Sequence, residues 1–178
     1  MVDLAARRVL VYGVTGSGKT TVARQLSRIT GLPWYSVDDL MWQPGWVQLP
    51  RQEQIRRMSA ICAGDRWILD AAYGAWESVV LQRAELVVAL DLPRWLSMWQ
   101  LLRRTLRRLV SREEICNGNR ESLRLQLSRD SLLLWHMRSF RVKRRRIEAM
   151  IADPDGPEVI RLRRRREVNA WLASLANA

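Results

Sequence analysis

The sequence predicts an α/β fold, a five-stranded parallel sheet with helices on both faces. Three observations carry this expectation. Short apolar runs alternate along the whole chain with longer stretches of helical periodicity, the pattern of strand–helix–strand units. One run, Leu86-Val87-Val88-Ala89-Leu90, is apolar at every position, as a strand is when helices cover both its faces. The first run, Val9-Leu10-Val11-Tyr12, passes through a glycine-rich turn into a helix with Val22, Ala23, Leu26 and Ile29 on one stripe.

Composition bounds the rest. With 178 residues, 48% of them hydrophobic, the chain suits one core and a single domain spanning 1–178. Met1 to Arg8 contains no apolar stretch long enough for a signal peptide, and Asp91, Arg94 and paired arginines interrupt the later apolar stretches. The expectation is a soluble, cytoplasmic monomer or homodimer without membrane partners. Cys62 and Cys116 lack metal-ligand spacing and His136 is the single histidine, which excludes a zinc site and a histidine-based triad. A net charge of +12 draws polyanions, from nucleotide phosphates to nucleic acid, without choosing among them.

The turn after the first strand is Gly13-Val14-Thr15-Gly16-Ser17-Gly18-Lys19-Thr20, the P-loop (Walker A) pattern of glycine, four residues, glycine, lysine and a hydroxyl. Glycines let backbone N–H groups converge on phosphate oxygens, the lysine reaches the outer phosphates, and the hydroxyl holds Mg²⁺. Gly13, Thr15, Gly16, Ser17, Gly18, Lys19, Thr20 and the adjoining Thr21 are therefore the candidate nucleotide contacts, with ATP and Mg²⁺ as cofactors. A chance match is hard to sustain, because of 30 Lys and Arg residues only Lys19 and Lys143 are lysines.

Trp34-Tyr35-Ser36-Val37 reads as the second strand, running into Asp38-Asp39. Ligands of open α/β sheets sit outside the carboxyl ends of the strands, so either carboxylate could share the P-loop crevice; the alternative is a helix N-cap. Gln43-Pro44-Gly45-Trp46 is a turn, and its tryptophans could wall a substrate pocket or simply pack. Pro50 to Ala63 has helical periodicity. Trp67-Ile68-Leu69 is the third strand and closes on Asp70, suited to the Mg²⁺ side of the site. Ala71-Ala72-Tyr73-Gly74 turns into a helix around Trp76 to Arg83.

After the fourth strand, Pro93 starts a helix with an apolar stripe from Leu92 to Leu109 and Arg103, Arg104, Arg107 and Arg108 on other faces. These guanidiniums could clamp a transferring phosphoryl group or form a solvated face. Ser111 to Glu121, with its Asn117-Gly118 turn signal, is the lid candidate. Ser122 to Ile151 is helical again, with a break expected near Trp135 to Phe140. The run Arg141 to Arg146 reads as a solvated face in preference to a phosphate grip. Asp153-Pro154-Asp155-Gly156-Pro157 is a turn, Glu158 to Leu162 the fifth strand, and a closing helix carries Val168, Trp171, Leu172 and Leu175. Arg163, in the basic loop after that strand, could lie against the adenine ring.

The P-loop, Asp38 with Trp42 and Pro44-Gly45-Trp46, Trp67-Ile68-Leu69-Asp70 with Tyr73, Leu90-Asp91-Leu92-Pro93-Arg94, and Leu162-Arg163 with Arg165-Arg166-Glu167-Val168 resemble the adenylate-kinase-like P-loop proteins labelled DNA topology modulation proteins. More broadly the chain is similar to the nucleoside monophosphate kinase and shikimate kinase group. The resemblance implies strand order 2-3-1-4-5, an acceptor-binding insertion at 39–64 and an arginine-bearing lid at 103–121. It gives Lys19 the β- and γ-phosphates, Thr20 the Mg²⁺, Asp70 a water-mediated reach to Mg²⁺, and Asp38 the acceptor hydroxyl. It places Arg104, Arg108 and Arg112 in the lid as catalytic arginines. Adenylate kinases follow the third-strand aspartate with a Gly-aromatic-Pro-Arg element, which this chain replaces with Ala71-Ala72-Tyr73-Gly74. The implied activity is transfer of the ATP γ-phosphoryl group to a small-molecule hydroxyl or phosphate. The competing expectation is a nucleotide-dependent regulatory or nucleic-acid-binding protein without kinase activity.

Overall fold

A computed structural model describes residues 5–111, 114–120 and 132–177. The central sheet contains β1 (Arg8–Gly13), β2 (Trp34–Tyr35), β5 (Trp67–Leu69), β6 (Leu86–Leu90) and β9 (Glu158–Leu162), all parallel in spatial order β2-β5-β1-β6-β9. Counted among sheet strands alone, that is the expected 2-3-1-4-5. The two remaining pairs are short antiparallel hairpins, β3 (Trp42–Gln43) with β4 (Val47–Gln48), and β7 (Glu114–Ile115) with β8 (Asn119–Arg120).

Strand alternation divides the core between two layers. On one face Leu10, Tyr12, Leu69, Val87 and Ala89 pack with Met58 and Cys62 of α3 (Arg51–Cys62), Val80 of α4 (Glu77–Leu81) and Ile147 and Met150 of α6 (Leu132–Ala152). On the other, Val9, Val11, Ile68 and Val88 meet Val22, Ala23 and Leu26 of α1 (Lys19–Thr30) and Val168, Leu172 and Leu175 of α7 (Arg165–Ala176). Each fully buried aliphatic side chain contributes about 1.5–3 kcal/mol, so β1, lined on both sides, is the anchor from which the P-loop projects.

Two sequence expectations change. The second strand stops at Tyr35 rather than Val37, because the Val37 N–H donates to Asp70 Oδ1 at 2.9 Å and the chain turns there into α2 (Val37–Met41). The break expected near Trp135 to Phe140 is absent; α6 is continuous from Leu132 to Ala152. His136, the polar residue that interrupts the apolar pattern, is fully buried and its Nε2 lies 2.8 Å from Ser97 Oγ of α5 (Arg94–Ser111), so it belongs to the packed face.

Candidate active site

The loop between β1 and α1 has the backbone its sequence demands. Gly18 precedes α1 in a left-handed conformation, with no side chain capping the helix and no acidic residue in its first turn. The first N–H groups of α1 thus carry the positive end of the helix dipole without a side-chain cap. Gly13 and Gly16 are required by space. A Cβ on Gly13 would lie 2.8 Å from Leu90 O, and one on Gly16 would run into the Ser97 carbonyl and sit 2.8 Å from Leu101 Cβ. Helix α5 therefore rests directly on the loop, meeting it through the buried residues Ser97 and Leu101.

Lys19 Nζ donates to Val14 O at 2.9 Å, folding over the loop that carries it. Its pKa falls to about 8, first through burial and then through the charges of Lys143 and Arg104, against the opposing pull of Asp38 and Asp70. The Thr20 hydroxyl lies near Asp70, whose pKa is raised by burial while the Val37 N–H, the Thr20 hydroxyl and Lys19 work the other way. The two residues expected on the Mg²⁺ side are thus adjacent. No cluster of three or more His, Cys, Asp or Glu side chains suited to a metal occurs among the described residues. A hydroxyl with one carboxylate fits Mg²⁺, which retains waters and takes its remaining ligands from substrate phosphates. Ser17 Oγ is buried without a protein partner, Thr15 is half-buried, and Thr21 is exposed in the first turn of α1.

Neither Asp38 nor Asp39 caps α2 with its side chain; Ser36 holds the N-cap position without a side-chain bond, and both carboxylates lie in the first turn. Asp38 Oδ1 instead accepts a hydrogen bond from the Tyr73 hydroxyl. Tyr73 has its pKa raised well above the ordinary value by burial, and further by the Asp38 charge and that bond. Asp38, Asp70, Lys19 and Tyr73 therefore form one electrostatic cluster above the ends of β1, β2 and β5. Sequence spacing places Asp38 here without a partner and gives Tyr73 no role.

Along α5, Arg103 and Arg107 are exposed, whereas Arg104 and Arg108 are half-buried. Arg104 is close enough to lower the Lys19 pKa, and both Arg104 and Arg108 act on the Cys116 thiol, which burial raises to about 12. Arg112 lies outside the described residues, as do positions 113 and 121 of the expected lid. Arg163 is exposed at the end of β9, with Nε 3.9 Å from Asp91 Oδ2.

Lys143 belongs to the surroundings of the site, although the sequence expectations give it no role. Its ammonium does not face solvent with the arginines around it. It donates to the Tyr12 hydroxyl at 3.0 Å and to Ala72 O at 3.1 Å, and lies 4.3 Å from the Tyr12 ring centroid. Burial lowers its pKa, with the nearby Glu77 charge opposing. The signal is present in composition: a lysine at 143 within an arginine run, in a chain with one other lysine.

Comparison with protein-family models and with curated sequences found no match. Among solved structures, the chain is similar to shikimate kinase from Acinetobacter baumannii in complex with shikimate, at 16% identity over 96% of this chain and 92% of that one, TM-score 0.59. Shikimate kinase from Bacteroides thetaiotaomicron matches at 15% identity over 97% and 98%, TM-score 0.56. Deoxyadenosine kinase from M. mycoides matches at 13% identity over 95% and 96%, TM-score 0.55. The chain thus has the P-loop kinase-like fold, along nearly its full length. Among the described residues no helix is long and apolar enough to cross a membrane.

Proposed function

We propose that this protein is a small-molecule kinase that moves the γ-phosphoryl group of ATP to a hydroxyl or phosphate of a small acceptor, with Mg²⁺. One observation carries the reading: Lys19, the Thr20–Asp70 pair and the Tyr73-bound Asp38 converge at the carboxyl ends of adjacent strands, with Arg104 within electrostatic reach. A P-loop alone would serve many reactions. A second carboxylate beside it, distinct from the one paired with Thr20, suits a site that also handles an acceptor.

Phosphoryl transfer asks little covalent chemistry of a protein; catalysis is positioning and charge stabilisation. Backbone N–H groups from Gly13 to Thr20 and the dipole of α1 would hold phosphate oxygens. Lys19 would swing from Val14 O to the outer phosphates, and their charge would draw its lowered pKa back up. Thr20 and Asp70 would hold Mg²⁺, which when bound neutralises charge on the phosphates. Asp38 would accept the hydrogen bond of an acceptor hydroxyl and take its proton as the new O–P bond forms, while Tyr73 keeps the carboxylate aimed. Arg104, Arg108 and Arg112 would offset charge on the transferring group, and Arg163 would stack on the base. Residues 39–64 would bind the acceptor and 103–121 would close over it.

The adenylate-kinase-like proteins labelled topology modulation proteins are the most specific likeness in this proposal, resting on the residues quoted for it. Lys19→Ala tests the nucleotide half. Titration with MgATP is expected to show an affinity loss of about 100-fold, the size of a lost charge-assisted phosphate contact. Unchanged affinity would remove the basis of the proposal.

A further inference from the structure

The two hairpins that flank the site are fastened to each other by asparagine side chains. Asn117 Nδ2, at the tip of the β7–β8 hairpin, donates to Asp39 O and Trp42 O, both at 2.7 Å. Those carbonyls belong to α2, the short helix that carries Asp38, and to the residue that ends it. Asn119 Nδ2 donates to Gln43 O at 2.9 Å and to Cys116 O at 2.6 Å, and its Oδ1 accepts the Trp46 N–H at 2.8 Å. Asn119 is 4% exposed and uses both halves of its amide. The bonds between hairpins span 73 to 78 positions of sequence, so they hold one hairpin against the other.

Their placement links the two sides of the site. The β7–β8 hairpin follows α5, whose Arg104 acts on Lys19 and whose Ser97 and Leu101 press on Gly16. The β3–β4 hairpin follows α2 and Asp38. We propose that Asn117 and Asn119 are positioning residues that latch the lid hairpin onto the acceptor insertion, fixing Asp38 relative to the arginines of α5. The latch rests on the kinase reading for its purpose and on these contacts for its existence. Its chemistry demands amides: the sites facing Gln43 O and Cys116 O need a donor, and a carboxylate there would meet two carbonyl oxygens with like partial charge. A protonated carboxyl regains one donor, and burial raises its pKa.

Hydrogen–deuterium exchange on the full chain separates a latch from glue within one hairpin. In Asn119→Asp at pH 7.5, exchange in both 39–48 and 114–120 is expected to rise about tenfold or more, while 8–30 keeps its protection. At about pH 5, after correction for intrinsic rates, Asn119→Asp is expected to recover part of that protection and Asn119→Ala none. Loosening confined to 114–120, or identical behaviour of the two variants at both pH values, would overturn the proposal. Should Asn119→Asp lose protection over 8–30 as well, Asn117→Asp, at an exposed position, must show the same paired loosening or the latch is refuted. None of these readouts needs phosphoryl transfer, so failure of the kinase reading would appear in the Lys19→Ala titration and not here.

Discussion

The P-loop half of this site is shaped largely by bonds between neighbours in sequence, whereas the half around Asp38 is held by residues far apart. Lys19 bonds a carbonyl five positions back, and the loop's shape follows from Gly13, Gly16 and Gly18. Asp38 depends on Tyr73, 35 positions on, and its helix on Asn117, 78 positions from Asp39. Local geometry shapes the first half, and α5 packs against it through Ser97 and Leu101. Long-range side-chain bonds hold the second half in place, so it can open without the first half losing its shape, as the proposed acceptor-binding role would require.

The largest expected effect comes from breaking the P-loop half. Gly16→Ala places a Cβ against the Ser97 carbonyl and 2.8 Å from Leu101 Cβ, at a φ of +83°. Either the loop or α5 must move, at a cost on the order of 3 kcal/mol. Chemical denaturation checks this, and a loss under about 0.5 kcal/mol would show that loop and helix are not in contact as described.

A smaller effect sharpens the electrostatics of the same half. Lys19 has its pKa lowered from 10.5 to about 8. Below pH 8 both folded and unfolded chains hold the proton. Between about pH 8 and 10.5 the unfolded chain retains a proton that the folded one has shed, so this group's contribution to stability rises with pH in that window. Nucleotide affinity moves the other way. As the ammonium deprotonates above pH 8, MgATP binding weakens by up to about tenfold per pH unit and takes up a proton, which calorimetry in buffers of different ionisation enthalpy detects. Constant affinity from about pH 7 to pH 9.5 would mean that Lys19 does not meet the phosphates.

What is legible in the sequence follows the same division. The P-loop and the Asp70 strand end rest on periodicity and short motifs, the sheet order rests on the family resemblance, and the structure has the expected strands within a few residues. The end of β2 is set by Val37, which donates to a carboxylate from another strand, and no local pattern encodes that. The break expected in α6 spans His136, a polar residue whose Nε2 is satisfied by Ser97 across the helix pair, so the helix runs through. Lys143 is hidden among arginines by charge alone, since its direction is set by Tyr12 and Ala72. The Asn117-Gly118 signal does give a turn. Nothing local indicates that the asparagines on either side of Gly118 reach another hairpin.

Phosphoryl transfer itself is tested most directly by incubating the protein with ATP labelled at the γ-phosphate, Mg²⁺ and a pooled set of small hydroxyl- and phosphate-bearing compounds. Label is expected in an organic acceptor with the native protein, and Asp38→Asn is expected to lose about 100-fold or more in transfer at unchanged MgATP affinity. Label appearing only as inorganic phosphate, at equal rates in both proteins, would contradict the assignment of a kinase with Asp38 at its acceptor.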